Sequence, residues 1–155
     1  MLTQSPSICN VPERRAKRPT LLLIVLFTAV ALAISACSPQ QLDSFQRINY
    51  DRTANGLVGL SINETLMTKA QAWSDYLASV GTLQHSQVAD AVDPGWWMLG
   101  ENVGSGSSVE AVEAAFMRSP GHRANILNPE FNWAGTGVSV SSNGTVFVVQ
   151  VFAKY

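Results

Sequence analysis

The chain has 155 residues, ten lysines and arginines against eleven aspartates and glutamates, and a formal net charge of −1. Arg14, Arg15, Lys17 and Arg18 cluster near the start, so removing the first 36 residues takes away four basic residues and one acidic one and leaves six against ten, a formal charge of −4. That balance excludes nucleic acid as a partner, because such binding rests on clustered Lys and Arg, and it offers an anionic membrane surface no attraction.

The basic cluster precedes an uncharged apolar run from Leu21 to Ser35, followed by Ala36 and Cys37. A basic stretch, a short apolar core and small residues before a cut site make residues 1–36 an export signal. The run is shorter than the roughly 20 residues a spanning helix needs, which favours cleavage over an uncleaved anchor. Ile34-Ser35-Ala36-Cys37 resembles a bacterial lipobox, in which the cysteine is acylated and becomes the mature N-terminus. Cys37 is therefore the expected lipidation site, and its lipid the expected link to a membrane. Cys9 would leave with the signal, so the mature chain keeps one cysteine and forms no internal disulfide. Residues 37–41 read as a lipidated tether, with Ser38 to Gln41 reaching about 14 Å when extended. Residues 42–155 are long enough for one domain with its own core.

Within that domain, Leu42, Phe45 and Ile48 share one face of a helix running to Ala54 and ended by Gly56. Asn63 suits the N-cap of a second helix. Leu66, Ala70, Trp73, Leu77 and Val80 line its apolar face, and Gly81 stops it. From Thr82 to Gly106 the periodicity dissolves into a loop with one or two short extended pieces. Loops of that length in compact domains are functional or disordered, and Trp96 and Trp97 argue for order, as a plug over the core. Ser107 and Glu110 have capping-box spacing before a helix with Val109, Val112 and Phe116 on one face. Ser119-Pro120 starts a further helical turn carrying His122.

The C-terminal segment places Asn143-Gly144 between two apolar runs, the dipeptide of a tight hairpin. A two-residue turn there pairs Val140 with Phe147 and Val138 with Val149. The last strand is apolar on both faces, with Phe147, Val149 and Val151 on one and Val146, Val148 and Phe152 on the other. Such a strand belongs in the middle of a sheet covered on both sides. The expected architecture is α+β, an α-β-α sandwich with a small central antiparallel sheet.

The two histidines, His85 in "LQHS" and His122 in "SPGHRANIL", and Glu101 in "GENVG" are the candidate site residues. Two imidazoles and a carboxylate suit a divalent metal, and the same trio suits acid–base work. The spacing matches no metal motif, so the residues alone leave open a structural role for all three. Ser86 follows His85, but on an extended segment its side chain would face the opposite way.

In their order along the chain, "LQHS", "GENVG", "SPGHRANILNPEFNWAGTGVSV" and "VVQVFAKY" resemble the CAP superfamily of cysteine-rich secretory, antigen 5 and pathogenesis-related proteins. The likeness is closest to its bacterial branch of secreted SCP-like proteins, and it covers residues 42–155. The resemblance implies an α-β-α sandwich with a cleft lined by two histidines and usually two glutamates, which in some members holds zinc or another divalent cation. The positions carried over are His85, Glu101 and His122 as metal ligands, with Glu101 the catalytic group if there is one. The family's second glutamate follows an aromatic residue by three positions, and here that position is Ser119, after Phe116. Glu113, one turn earlier, could substitute only if the helix were rotated.

The resulting expectation is an extracytoplasmic lipoprotein anchored to a bacterial cell envelope. It would act as a binding module whose cleft holds a divalent cation and a peptide, glycan or lipid ligand. The alternatives are a metal-dependent hydrolase using the same cleft, and a structural envelope protein with a vestigial one.

Overall fold

The computed structural model describes residues 38–155. The basic cluster, the apolar run, Cys9 and Cys37 lie outside the described residues. Helix α1 (Pro39–Ala54) begins at once, because Ser38 and Gln41 form a capping box and Pro39 opens the first turn. Gln41 is buried, with its side-chain nitrogen on the Thr136 carbonyl at 3.0 Å. Residues 38–41 are thus helix start rather than tether, because the cap and the buried glutamine fasten them to the domain.

After α1 come β1 (Ser61–Ile62), α2 (Glu64–Val80), β2 (Met98–Gly106), α3 (Val109–Arg118), α4 (Pro120–Ile126), β3 (Trp133–Val140) and β4 (Val146–Lys154). The four strands lie in the order β1-β3-β4-β2. The β1–β3 pair is parallel and the other two are antiparallel, so the sheet is mixed where an antiparallel one was expected. Helix α2 covers one face through Leu66, Ala70 and Leu77, which pack on Val103, Phe147, Val149 and Val151. Helices α1, α3 and α4 cover the other through Ile48, Val112, Phe116 and Ile126, packed on Ala134, Val138, Val148 and Phe152. Each large side chain fully buried there contributes roughly 2 kcal/mol of apolar transfer. This is the expected α-β-α sandwich, with the apolar last strand at its centre.

Asn63 caps α2 through the Leu66 N–H, and left-handed Gly81 ends it. The cap of α3 is Ser108, whose Oγ accepts from Ala111 N, one residue beyond the expected Ser107. The hairpin register is also shifted by one: Val140 pairs with Val146 and Val138 with Val148. The loop is Ser142, Asn143 and Gly144, closed by the Ser141 N–H on the Thr145 carbonyl at 2.9 Å. Asn143 uses its Oδ1 to accept from Thr145 N and Ser141 Oγ, and Gly144 alone takes a positive φ, +86°. One residue more in the loop exchanges every cross-strand partner.

The largest departure is β2, a nine-residue strand where mostly loop was expected. Its glycines hide it from propensity, and packing requires them: a Cβ on Gly104 would lie 2.6 Å from the Phe116 ring and one on Gly100 2.9 Å from Phe131.

Candidate functional site

β2 is an edge strand, hydrogen-bonded to β4 alone. The Ser141–Thr145 closure and the register together turn the even-numbered residues of β4 toward β2. The backbone groups of Leu99, Glu101, Val103 and Ser105 therefore face away from β4. Asn125 of α4 takes one of them, its Nδ2 donating to the Glu101 carbonyl at 3.2 Å. Side chains alternate across the strand. Glu101 points to the α2 face and Asn102 to the α3–α4 face.

The segment after α2 meets the Glu101 carboxylate. His85 Nδ1–H donates to Oε1 at 2.7 Å, Ser86 N–H donates to the same oxygen at 2.9 Å, and Ser86 Oγ donates to Oε2 at 2.5 Å. Two α2 side chains pin this segment on either side of the pair: Trp73 Nε1 donates to the Gln84 carbonyl and Lys69 Nζ to the Gln87 carbonyl, each at 3.0 Å. Ser86 thus faces the same carboxylate as His85, against the expectation that it points away. The segment is irregular rather than a strand, so alternation does not apply.

His122 approaches from the other side. Ser119 and Pro120 start α4 as expected, though Ser119 makes no side-chain cap bond. The ring of His122 rests on Phe116, centroids 4.8 Å apart and tilted by 50°. Its carbonyl accepts from Asn102 Nδ2 at 3.1 Å. Burial holds the imidazole below its usual value of 6.5, and the charge of His85 adds to the effect. The two rings share one electrostatic neighbourhood at the edge of the sheet.

This arrangement fixes a tautomer. With Nδ1–H bonded to Glu101, neutral His85 carries its lone pair on Nε2, and its side chain is 66% exposed. Burial disposes His122 toward its neutral form. Two neutral imidazoles are good ligands for a borderline divalent cation. Glu101, with both oxygens accepting from protein donors, stands behind His85 as the carboxylate that orients a ligating histidine. Among the described residues no three His, Cys, Asp or Glu side chains are already gathered as a ligand set. In kind, imidazole donors suit such a cation, whereas both Glu101 oxygens are already taken by protein donors.

Glu113 is not brought to the imidazoles. It is buried between α3 and the sheet, bonded to Gln150 and beside Asp51 of α1. Arg123 donates to Asn55. Trp97 is 85% exposed and Trp96 is exposed too, so the pair does not plug the core; Val88, Val92, Leu99, Trp133 and Tyr155 pack on that cluster instead. The residues that sequence reasoning passed over are Asn102 and Gln150, both fully buried. Each is a polar residue inside an otherwise apolar or glycine-rich strand, and that is the signal that could have found them.

Residues 45–152 match the CAP family, described as the cysteine-rich secretory protein family. The chain is 28% identical over 141 residues to the uncharacterized protein YkwD of Bacillus subtilis, an alignment covering 82% of this chain and 54% of that one. The chain thus spans about half the length of the curated relative it matches. Among solved structures it is similar to an outer surface protein of Borrelia burgdorferi, with 20% identity, a TM-score of 0.69 and coverage of 77% and 95% of the two chains. It is also similar to an extracellular SCP-domain protein of Bacillus anthracis, with 24% identity, a TM-score of 0.62 and coverage of 75% and 40%. At these identities the structural likeness shows the fold.

Proposed function

Because the chain belongs to the CAP family of cysteine-rich secretory proteins, we propose that it is an exported binding module whose cleft between His85 and His122 takes a divalent cation and, through it, a ligand. Zinc suits two imidazoles and water best. One observation carries the reading: the Glu101 carboxylate accepts from His85 Nδ1 and leaves Nε2 free on an exposed ring. A carboxylate behind a histidine fixes the tautomer and raises the basicity that a metal needs. Calorimetric titration of the purified protein with zinc should give about one ion per chain. His122→Ala should abolish uptake, and Glu101→Gln should weaken it roughly 10- to 100-fold. A protein that takes up no zinc at neutral pH refutes the reading.

Export and attachment complete the proposal. The relatives include an outer surface protein and an extracellular protein by name, and the lipobox-like Ile34 to Cys37 supplies an acylation site. With Ser38 capping α1, a lipid on Cys37 would hold the domain directly against the bilayer. Cys37→Ser should move the protein from the membrane fraction to the soluble one, and retention would point to an uncleaved helix.

A hydrolytic reading has one observation in its favour. The Glu101–His85 pair has the build of an oriented general base, with Nε2 as the basic atom. In that case His85, rather than Glu101, accepts the proton. Turnover of an ester or peptide panel that survives His85→Ala would exclude it.

A further inference from the structure

Behind the cleft, three buried polar side chains join in one line. Glu113 on α3 is 4% exposed, and Gln150 on β4 and Asn102 on β2 are fully buried. Gln150 Nε2 donates to Glu113 Oε2 at 2.6 Å, and Asn102 Nδ2 donates to Gln150 Oε1 at 3.0 Å. The same Asn102 nitrogen donates to the His122 carbonyl at 3.1 Å, and Asn102 Oδ1 accepts from Asn125 Nδ2 at 2.9 Å. The line thus runs from α3 through both inner faces of β4 and β2 to α4.

Its direction is fixed at one end. A backbone carbonyl only accepts, so the His122 carbonyl requires the nitrogen of Asn102. That nitrogen requires the oxygen of Gln150, and Gln150 is left with its nitrogen for Glu113. Oε2 of Glu113 is therefore an acceptor whatever the charge of the acid. The second oxygen, Oε1, is buried without a hydrogen-bond partner, and a neutral acid carries its proton there. Ionised, the same oxygen would be an uncompensated buried charge, which the surroundings relieve only by moving or admitting water.

The surroundings favour the neutral acid. Burial pushes Glu113 up to about 8, the Gln150 bond opposes this, and Asp51 of α1 raises it further while Arg47 of α1 lowers it. Asp51 is itself raised by burial, while the neighbouring Glu113 acid, Arg123 of α4 and Arg47 each lower it. Helix α4 is seven residues long and lacks a side-chain N-cap bond, so its hold on the sheet relies on Asn102, on the Asn125 bond to the Glu101 carbonyl and on the buried Ile126.

We propose that Glu113 is a positioning residue for the cleft: as a neutral acid it anchors, through Gln150 and Asn102, the His122 carbonyl, and on losing its proton it loosens α4 and weakens the hold on a divalent ion. Only the last step rests on the metal reading above, so the two are tested apart. Amide hydrogen exchange of residues 121–127, corrected for intrinsic base catalysis, is followed in the metal-free full protein from pH 6 to 10. Wild type should lose protection there by about fivefold or more, as expected of a local opening, with a midpoint near 8. Glu113→Gln keeps the acceptor and cannot ionise, so its step should vanish. Asp51→Asn, a change at a half-buried site, removes a charge that raises Glu113 and should move the step to lower pH. Zinc uptake by wild type and Glu113→Gln should match at pH 6.5 and favour Glu113→Gln at pH 8.5, a ratio in which zinc hydrolysis cancels. Absence of the α4 step in wild type, or its persistence in Glu113→Gln, overturns the proposal even if zinc binds. A step at α4 in a protein that takes no zinc supports the positioning role and refutes the metal reading instead.

Discussion

Burial lowers the pKa of His122 and the charge of His85 lowers it further, although one ring stands on the segment after α2 and the other on α4. The edge of β2 lies between the layers they come from and brings them into one field. In His85→Gln, the loss of a nearby positive charge makes His122 easier to protonate, so its pKa should rise. It should remain below 6.5, because burial is the larger cause. Titration of the His122 ring resonances by NMR checks both halves. An unmoved His122 would mean that the rings do not share a cleft.

The elements that bury a periodic apolar face were legible in the sequence. Leu66, Ala70 and Leu77 mark α2, and Val146 to Phe152 mark the central strand, because burial selects side chains at a fixed period. β2 was not legible, because its glycines are dictated by rings on other elements, such as Phe116 against Gly104. The hairpin register failed for a local reason: Asn143 bonds through its side chain instead of taking a left-handed backbone. Of the site, His85, Glu101 and His122 were found as residue types in a recognisable order. Their division of labour, with Glu101 behind His85 and Glu113 in another layer, depends on which face of β2 and of α3 each side chain leaves from. No spacing encodes that.

Stability should depend on pH through two groups with opposite signs. His122 is lowered in the folded state, so its contribution is complete above 6.5 and is lost as pH falls through the folded value. Glu113 is raised from 4.5 to about 8, so its contribution is complete below 4.5 and is lost as pH rises toward 8. Between 6.5 and 8 only the Glu113 effect operates of the two, and stability should fall by up to roughly 1.4 kcal/mol per pH unit. Urea midpoints measured across that interval should decline in wild type and stay level in Glu113→Gln. A level wild-type profile would mean that Glu113 is already ionised in the fold.

Arg52 should be the costliest charged residue to remove. It is 2% exposed, and its guanidinium donates to the carbonyls of Val58 at 3.0 Å and of Ile126 and Asn128 at 2.8 Å. One side chain thereby joins the end of α1, the turn before β1 and the end of α4. Burial lowers its pKa, and the carbonyls replace the water it has lost. Arg52→Met keeps most of the bulk but leaves those acceptors unpaired, at an expected cost of about 3 kcal/mol or more. Arg47→Ala removes a half-exposed i,i+4 pair with Asp43 and a weaker attraction to Asp51, and should cost about 1 kcal/mol or less. Urea unfolding of the two variants should separate them clearly, and equal losses would show that the buried bonds contribute little net stability.

Gly137 tests how closely the layers meet. A Cβ there would lie 2.1 Å from the carbonyl oxygen of Ala70, and one on Gly135 would lie 2.2 Å from the backbone between Leu66 and Met67. Backbone cannot swing aside as a side chain can, so α2 would have to lift from β3. That would open the contacts of Leu66, Ala70 and Leu77 with the sheet. Gly137→Ala should therefore cost about 3 kcal/mol or more, at the upper end of overpacking. It should also disturb the cleft, because Lys69 and Trp73 on the same helix hold the segment that carries His85. Gly121→Ala is the matched control: nothing lies within 4 Å of its Cβ, and in a helix alanine is favoured over glycine by roughly 0.5–1 kcal/mol. Thermal unfolding should rank Gly121→Ala at or above wild type and Gly137→Ala far below it. If Gly137→Ala is tolerated, the spacing of α2 over β3 is adjustable, and the placement of His85 by α2 is correspondingly weak.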